Sequence, residues 1–280
     1  SLRTICSGLC RFLVAMILSS LPAHNVGRKT LTSRGSTDRG QARMMSLMVT
    51  ALLFDVQGTA TDFHSTVCDE ARRISAGRHP DADWPELVRR WRAGYFSALD
   101  ASSGGHGGWV SVYSVYRQVL DAVLDGCGVT GLSAAERDEL TLAWQRLRPW
   151  PDVVAGLTRL KTKFTLATLS NADVSAVVNI SKRAALPWDA IFAAEMAGVF
   201  KPDPAAYRMA VGYLGCEPAE VMMVASHKYD LRAAARLGLR TAFVARPLEF
   251  GIGGAADATY ADEFDINAAD FLDLAGQLGC

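Results

Sequence analysis

Residues 49–62 read Val-Thr-Ala-Leu-Leu-Phe-Asp-Val-Gln-Gly-Thr-Ala-Thr-Asp. The apolar run from Val49 to Phe54 ends in a carboxylate, Asp55, and Gly58 and Thr59 then turn the chain. A run of that length bounded by turn residues predicts a strand buried on both faces of a parallel sheet. Ligands in open α/β sheets bind at the carboxyl ends of the strands, which places Asp55 at the rim of a site. Taken alone, Asp55 fits equally well as the cap of the following turn. The rest of the chain decides between the two.

From Pro149 onward, apolar strand patterns alternate with amphipathic helical ones. Strands are predicted at 164–169, 190–194, 221–225 and 241–245, and helices at 153–161, 172–185, 205–214 and 231–237. This alternation predicts a parallel sheet with crossover helices, to which the strand before Asp55 belongs. Residues 63–148 differ. Trp91, Tyr95, Phe96 and Leu99 form one stripe at helical spacing, and Val112, Val115, Tyr116, Val119, Leu120 and Val123 form a second. Leu140, Leu142, Ala143, Trp144 and Leu147 follow Ser133 and Glu136, a capping-box pattern. Gly104, Gly105, Gly107 and Gly108 link the first two stripes. The expected architecture is α/β: a doubly wound, Rossmann-like core (49–62 and 149–280) with a helical cap (63–148) inserted after its first strand. The cleft between them is a natural ligand site.

Composition narrows the class further. Half of the 280 residues are apolar, enough for a sizeable core, and 29 basic residues balance 29 acidic ones. No electrostatic case exists for nucleic acid or an anionic membrane surface. The six cysteines lack zinc or thioredoxin spacing, which predicts free thiols in a reducing compartment. Residues 1–48 stand apart. Arg3 and Arg11 flank a short apolar run with small residues after it, the pattern of a weak secretory signal, and 24–43 have a disordered composition. Met44, Met45 and Met48 precede the first strand, so a start placed too far upstream explains the extension equally well. A cytoplasmic location is the expectation, with export through residues 1–23 as the alternative.

Polar residues follow each core strand. Asp55 ends the first, Ser170-Asn171 the second, Lys201-Pro202-Asp203-Pro204 comes after the third, and Ser226-His227-Lys228-Tyr229-Asp230 after the fourth. Any one of these fits helix capping or turn chemistry. Four in order, all at one edge of a parallel sheet, predict a functional site.

The order Asp-x-x-Gly-Thr, Leu-Ser-Asn, Lys-Pro with a Tyr six residues after the Lys, and an Asp after the fourth strand resembles the haloacid dehalogenase superfamily. The resemblance spans about residues 49–275 and is nearest to the type II 2-haloacid dehalogenases. Superfamily phosphatases carry a second Asp two residues after the nucleophile. Here that position is Gln57, an amide that cannot protonate a departing alkoxide. The fourth loop offers Asp230 alone as an acid, a poor magnesium site. No metal or other cofactor is expected.

The resemblance implies that Asp55 attacks the carbon alpha to a carboxylate, expels halide and forms an ester, which water then hydrolyses to a 2-hydroxy acid. It implies that Lys201 keeps Asp55 ionised and steadies the oxyanion, that Thr59 hydrogen-bonds Asp55, and that Ser170 and Asn171 bind the substrate carboxylate and the departing halide. Tyr207 would orient Lys201 or Ser170, and Asp230 would position water or balance Lys201. The cap arginine that receives halide matches Arg92, with Arg89 as the alternative. Phe63, Tyr95 and Trp109 are candidate apolar walls. Better-known members have Asn at the position of His227; a subset carries His-x-x-Asp there, together with Pro149-Trp150-Pro151-Asp152 and Arg246-Pro247-Leu248-Glu249. His227 would position or deprotonate water. Where the family often has an aromatic, Gln57 is expected to read a polar group on the substrate. The expected partner is a small carboxylate, and a homodimer through the cap is possible. Rival readings are a same-fold hydrolase of another activated carbon such as a strained ring amine, a magnesium-dependent phosphatase, and a binding protein without turnover.

Overall fold

A computed structural model of the chain describes residues 49–102 and 109–280, with side chains placed for 49–99 and 109–280. The amino-terminal extension and the glycine link at 104–108 lie outside the described residues. The described part runs β1 (Ala51–Phe54), β2 (Thr61–Asp62), α1 (Phe63–Ser75), α2 (Trp84–Ser102), α3 (Val112–Gly126), α4 (Ala134–Thr141), a 3-10 turn (Leu142–Gln145), and β3 (Arg148–Pro149). It continues with α5 (Val153–Leu160), β4 (Thr165–Ser170), α6 (Val174–Ala184), β5 (Ala190–Ala193), α7 (Pro204–Leu214), β6 (Val221–Ala225), α8 (Lys228–Arg236), β7 (Arg240–Val244), β8 (Ile266–Ala268) and α9 (Phe271–Gln277).

Six strands form one parallel sheet in the order β5-β4-β1-β6-β7-β8, with β1 paired to β4 on one side and β6 on the other. All four residues of β1 are buried. They alternate between two apolar layers, Leu52 and Phe54 facing one and Ala51 and Leu53 the other, as a period of two requires. An uninterrupted apolar run is therefore what this central strand needs. Phe54 is level with Thr168 of β4 and Val224 of β6, so the residues just beyond those levels meet at the carboxyl edge.

The inserted helices, α1 to α4, form a layer over that edge, entered and left through an antiparallel ribbon, Thr61–Asp62 against Arg148–Pro149. Sequence periodicity gave no sign of this ribbon, since two-residue strands carry no pattern to detect. The capping box at Ser133 and Glu136 is present at the start of α4. The predicted core strands and helices stand within about three residues of their expected bounds. Strand β8 was not anticipated: three residues inside a polar segment fall below any periodicity window.

The core also grips the inserted layer directly. Both carboxylate oxygens of Asp173, at the start of α6, accept backbone N–H groups of Val112 and Tyr113 at 2.8 and 2.9 Å. They satisfy donors that the first turn of α3 leaves without helical partners. Tyr95 Oη in α2 donates to the Asn171 carbonyl at 3.2 Å.

Candidate active site

Asp55 leaves β1 and is 4% exposed, with four donors around its carboxylate. Thr59 Oγ1 donates to Oδ2 at 2.8 Å and is itself pinned by the Ser226 N–H at 2.9 Å. His227 Nδ1 lies 3.2 Å from the same oxygen. Lys201 Nζ donates to Oδ1 at 3.1 Å, and Ser170 Oγ stands at the limit of reach, 3.5 Å. Burial pushes the Asp55 carboxyl up, but Lys201, His227 and Thr59 together hold it well below the usual carboxylate range. It is a stripped, ionised carboxylate.

Lys201 lies in the loop after β5 and bridges two acids, reaching Asp230 Oδ2 at 2.5 Å as well as Asp55. Burial would lower its ammonium, yet Asp230 and Asp55 raise it above the ordinary lysine value. Asp230 is wholly buried; burial raises its carboxyl, opposed chiefly by Lys201. Its other oxygen accepts from Tyr207 Oη at 2.5 Å. Tyr207 was expected to orient Lys201 or Ser170 and to bind substrate. Its hydroxyl goes to Asp230, one step further from the nucleophile, because α7 presents it from beneath the Lys201 loop.

Asn171 also departs from expectation. Its Oδ1 accepts the Lys201 N–H at 2.7 Å and its Nδ2 donates to the Lys201 carbonyl at 3.0 Å. Both ends of the amide are occupied in fixing the loop that carries the lysine. Asn171 still lines the cavity.

From the inserted layer, Arg92 of α2 reaches the core. Its Nη1 donates to Gln57 Oε1 at 2.9 Å and to the Tyr116 hydroxyl. The guanidinium lies within 4.7–5.7 Å of the ring centres of Phe63, Tyr95, Phe96 and Trp144, a cation held by aromatic faces. It is 5% exposed, its Nε has no hydrogen-bond partner, and no carboxylate pairs with it among the described residues. Arg89 instead pairs with Glu86 at 3.0 Å and turns to the Phe250 carbonyl, outside the cavity. Trp109 packs on Phe200, with ring centres 4.4 Å apart, and does not line the cavity either, whereas Tyr95 does.

Asp55, Gln57, Arg92, Ser170, Asn171, Lys201 and His227 all face one small cavity of about 10 Å³, roughly one water's worth of free space. Larger surface clefts, about 450 Å³ beside Arg208 and about 430 Å³ beside His64, touch none of these residues. The candidate site residues line the small one. The donor set does not fit magnesium: a buried ammonium already bridges Asp55 and Asp230, and among the described residues no cluster of three metal-binding side chains exists.

Glu249 carried no predicted role. Its Oε1 stands 2.8 Å from His227 Nε2 and it is 4% exposed. A neutral imidazole donates through only one nitrogen, so a ring with carboxylates on both sides is held as imidazolium. Burial lowers His227, but Glu249 and Asp55 override it and push the ring up to about 10. A basic role for His227 toward water is therefore opposed by its own neighbours. The 149–152 and 246–249 segments explain each other. Arg246 makes a two-pronged pair with Asp152 at 2.8 Å, and its Nε donates to the Thr59 carbonyl at 2.8 Å. Trp150 Nε1 donates to the Gly58 carbonyl at 2.9 Å. Both segments brace the loop that follows Asp55.

A buried carboxylate at the end of the central strand, a lysine bridging it to a second acid and an inserted helical layer define an α/β protein with a candidate hydrolase site. The family model for haloacid dehalogenase-like hydrolases matches residues 49–238, and the chain belongs to that family. It is 32% identical over 203 residues to an (S)-2-haloacid dehalogenase of Xanthobacter autotrophicus, covering 71% of this chain and 76% of that one. A crystal structure of an L-2-haloacid dehalogenase is 39% identical, covers 82% of this chain and 100% of that one, and superposes with a TM-score of 0.77. One of a defluorinating L-2-haloacid dehalogenase is 38% identical, covers 83% and 96%, and gives 0.78.

Proposed function

We propose that the chain hydrolyses short 2-haloalkanoic acids to 2-hydroxy acids, without a metal, through an ester on Asp55. The observation that carries this reading is the position of Gln57. An acid there would be needed to protonate an alkoxide, and the side chain present instead gives its carbonyl oxygen to Arg92. A halide leaves without a proton.

In the first displacement Asp55 attacks the carbon bearing halogen. Oδ1 is the more weakly held oxygen, with Lys201 at 3.1 Å and Ser170 at 3.5 Å, and is the nucleophile. Arg92, a buried cation without a carboxylate partner, takes the departing halide. Its aromatic surround suits a large, weakly hydrated anion, and Gln57 holds it over the nucleophile. Ser170 contacts the substrate carboxylate. Water then attacks Cγ of the ester, and donors already aimed at the Asp55 oxygens stabilise the oxyanion. A chiral substrate is inverted, since one displacement occurs at carbon. The cavity holds only about one water, so acids of two or three carbons are the natural class. The relatives named for the (S) or L enantiomer make (S)-2-chloropropionate the first substrate to assay, and the defluorinating one makes fluoroacetate the second.

A single turnover in heavy-oxygen water tests the mechanism. Solvent oxygen is expected in the Asp55 peptide; label in the product hydroxyl, with Asp55 unlabelled, would sink it.

A further inference from the structure

Gly58 adopts φ +95°, and a Cβ there would fall on the Glu249 carboxylate and 3.3 Å from His227 Cε1. The absence of a side chain at Gly58 leaves room for a second ion pair directly behind the nucleophile. Its members are His227, half-buried, and Glu249, buried, both set among charged groups. The groups that face the imidazole come from every element around it. Asp55 and Thr59 belong to the nucleophile loop and Glu249 to the 246–249 segment. Tyr229 stacks on it at 5.7 Å between ring centres, Lys201 and Asp230 lie beyond Asp55, and Arg92 closes the cavity from above. Three carboxylates (Asp55, Asp230, Glu249) face three cations (Lys201, Arg92, His227 as imidazolium). Without the Glu249 charge, cations outnumber anions and the imidazolium is the one that can shed its proton.

We propose that Glu249 is a positioning residue for ester hydrolysis: its carboxylate keeps His227 charged and aims Nδ1–H at Asp55 Oδ2, the oxygen that becomes the oxyanion. This rests on Asp55 being the nucleophile. Water oxygen bonds to Cγ while the π pair of the Cγ–Oδ2 bond moves onto Oδ2, where His227 Nδ1–H and Thr59 Oγ1–H receive it. The pair then returns, the Cγ–Oδ1 bond breaks and its electrons leave with the product oxygen. One water proton ends on the product hydroxyl and the other passes to solvent as Asp55 ionises again. His227 donates a hydrogen bond throughout and takes no proton from water. In the free enzyme Glu249 and Asp55 together raise its affinity for a proton; in the ester Asp55 is uncharged and Glu249 is the carboxylate that holds it.

The test is rapid-quench turnover of (S)-2-chloropropionate by wild type, Glu249→Gln and Glu249→Asp, with halide release and ester on the Asp55 peptide followed from pH 6 to about pH 10.5. In Glu249→Gln, ester should accumulate at about pH 9 and hydrolyse at least about tenfold more slowly than in wild type. Its alkaline limb should fall by a pH unit or more, and Glu249→Asp should restore the limb. A Gln variant slowed equally at every pH, or one with the wild-type profile, overturns the proposal. Should Glu249→Gln not fold, ring nitrogen spectra of wild-type His227 decide: two protonated nitrogens at about pH 8.5 support it and a neutral ring overturns it. Wild type that releases no halide and carries no ester overturns the dehalogenase reading itself, a result separate from either variant's profile.

Discussion

Arg92 Nη1 donates to Gln57 Oε1 at 2.9 Å, so the residue two positions after the nucleophile is bonded to the helical layer above it. This one contact ties the buried guanidinium of the inserted layer to the loop that follows Asp55, which in the proposed mechanism joins the halide acceptor to the attacking carboxylate. It also restricts Gln57: its oxygen is committed to Arg92, and only the amide nitrogen remains to meet a substrate.

Arg92 should trade stability for function. Its Nε lacks a hydrogen-bond partner and, among the described residues, no carboxylate forms an ion pair with it, and buried cations of this kind are costly. Arg92→Met is expected to abolish halide release, by at least about a hundredfold, while Tm stays level or rises. A variant that loses Tm and activity in parallel would contradict this.

Activity should be flat across acid pH and fall at alkaline pH. Asp55 is held well below the usual carboxylate range, so it remains ionised wherever the protein is folded. His227 is raised from 6.5 to about 10 and is charged below that value. The same linkage applies to stability: the contribution of His227 is fully present below about pH 6.5 and is lost as pH rises through about 10. Denaturant midpoints should begin to fall above about pH 6.5 and level off near pH 10, whereas kcat/KM should hold to about pH 9 and fall beyond it.

The brace behind the nucleophile loop should be energetically heavy. Arg246→Met leaves the Asp152 charge with the Phe271 N–H alone and frees the Thr59 carbonyl. Breaking a buried pair of this kind costs about 3 kcal/mol, measurable by urea unfolding, and turnover should fall with it because Thr59 positions Asp55.

Gly58→Ala places a Cβ on Glu249 at a positive φ. A loss of about 1–3 kcal/mol is expected, with a larger proportional loss of ester hydrolysis than of halide release. Equal loss of both steps would argue that the substitution merely loosens the loop.

Chelation should leave halide release unchanged, since Lys201 occupies the space between Asp55 and Asp230. Recovery of activity with added magnesium after dialysis would contradict the proposed chemistry.

Much of this was legible in the residues. The apolar run before Asp55 identified a strand buried on both faces, and the Ser170, Lys201 and Asp230 motifs fell after later strands in an order that a parallel sheet brings to one edge. Arg92 and Arg89 were equivalent as text, three residues apart on one helix. Only α2's orientation directs Arg92 into the aromatic cage and Arg89 toward the Phe250 carbonyl. Tyr116 and Trp144 read as packing stripes, and they do pack, with ring centres 4.0 Å apart. That Tyr116 also bonds Arg92 depends on a crossing between α2 and α3 that spacing does not encode.

The sequence by itself determined the sheet, the inserted helical layer and the carboxylate at the end of the central strand, because burial periodicity and strand-end polarity are local properties of the chain. Tertiary structure alone decided that Asn171 serves the Lys201 backbone, that Tyr207 serves Asp230, and that Glu249, 194 positions after Asp55, stands behind it through His227. Hydrogen-bond partners are chosen by distance after folding, and side chains brought together from separate loops leave no periodic trace in the order of the residues.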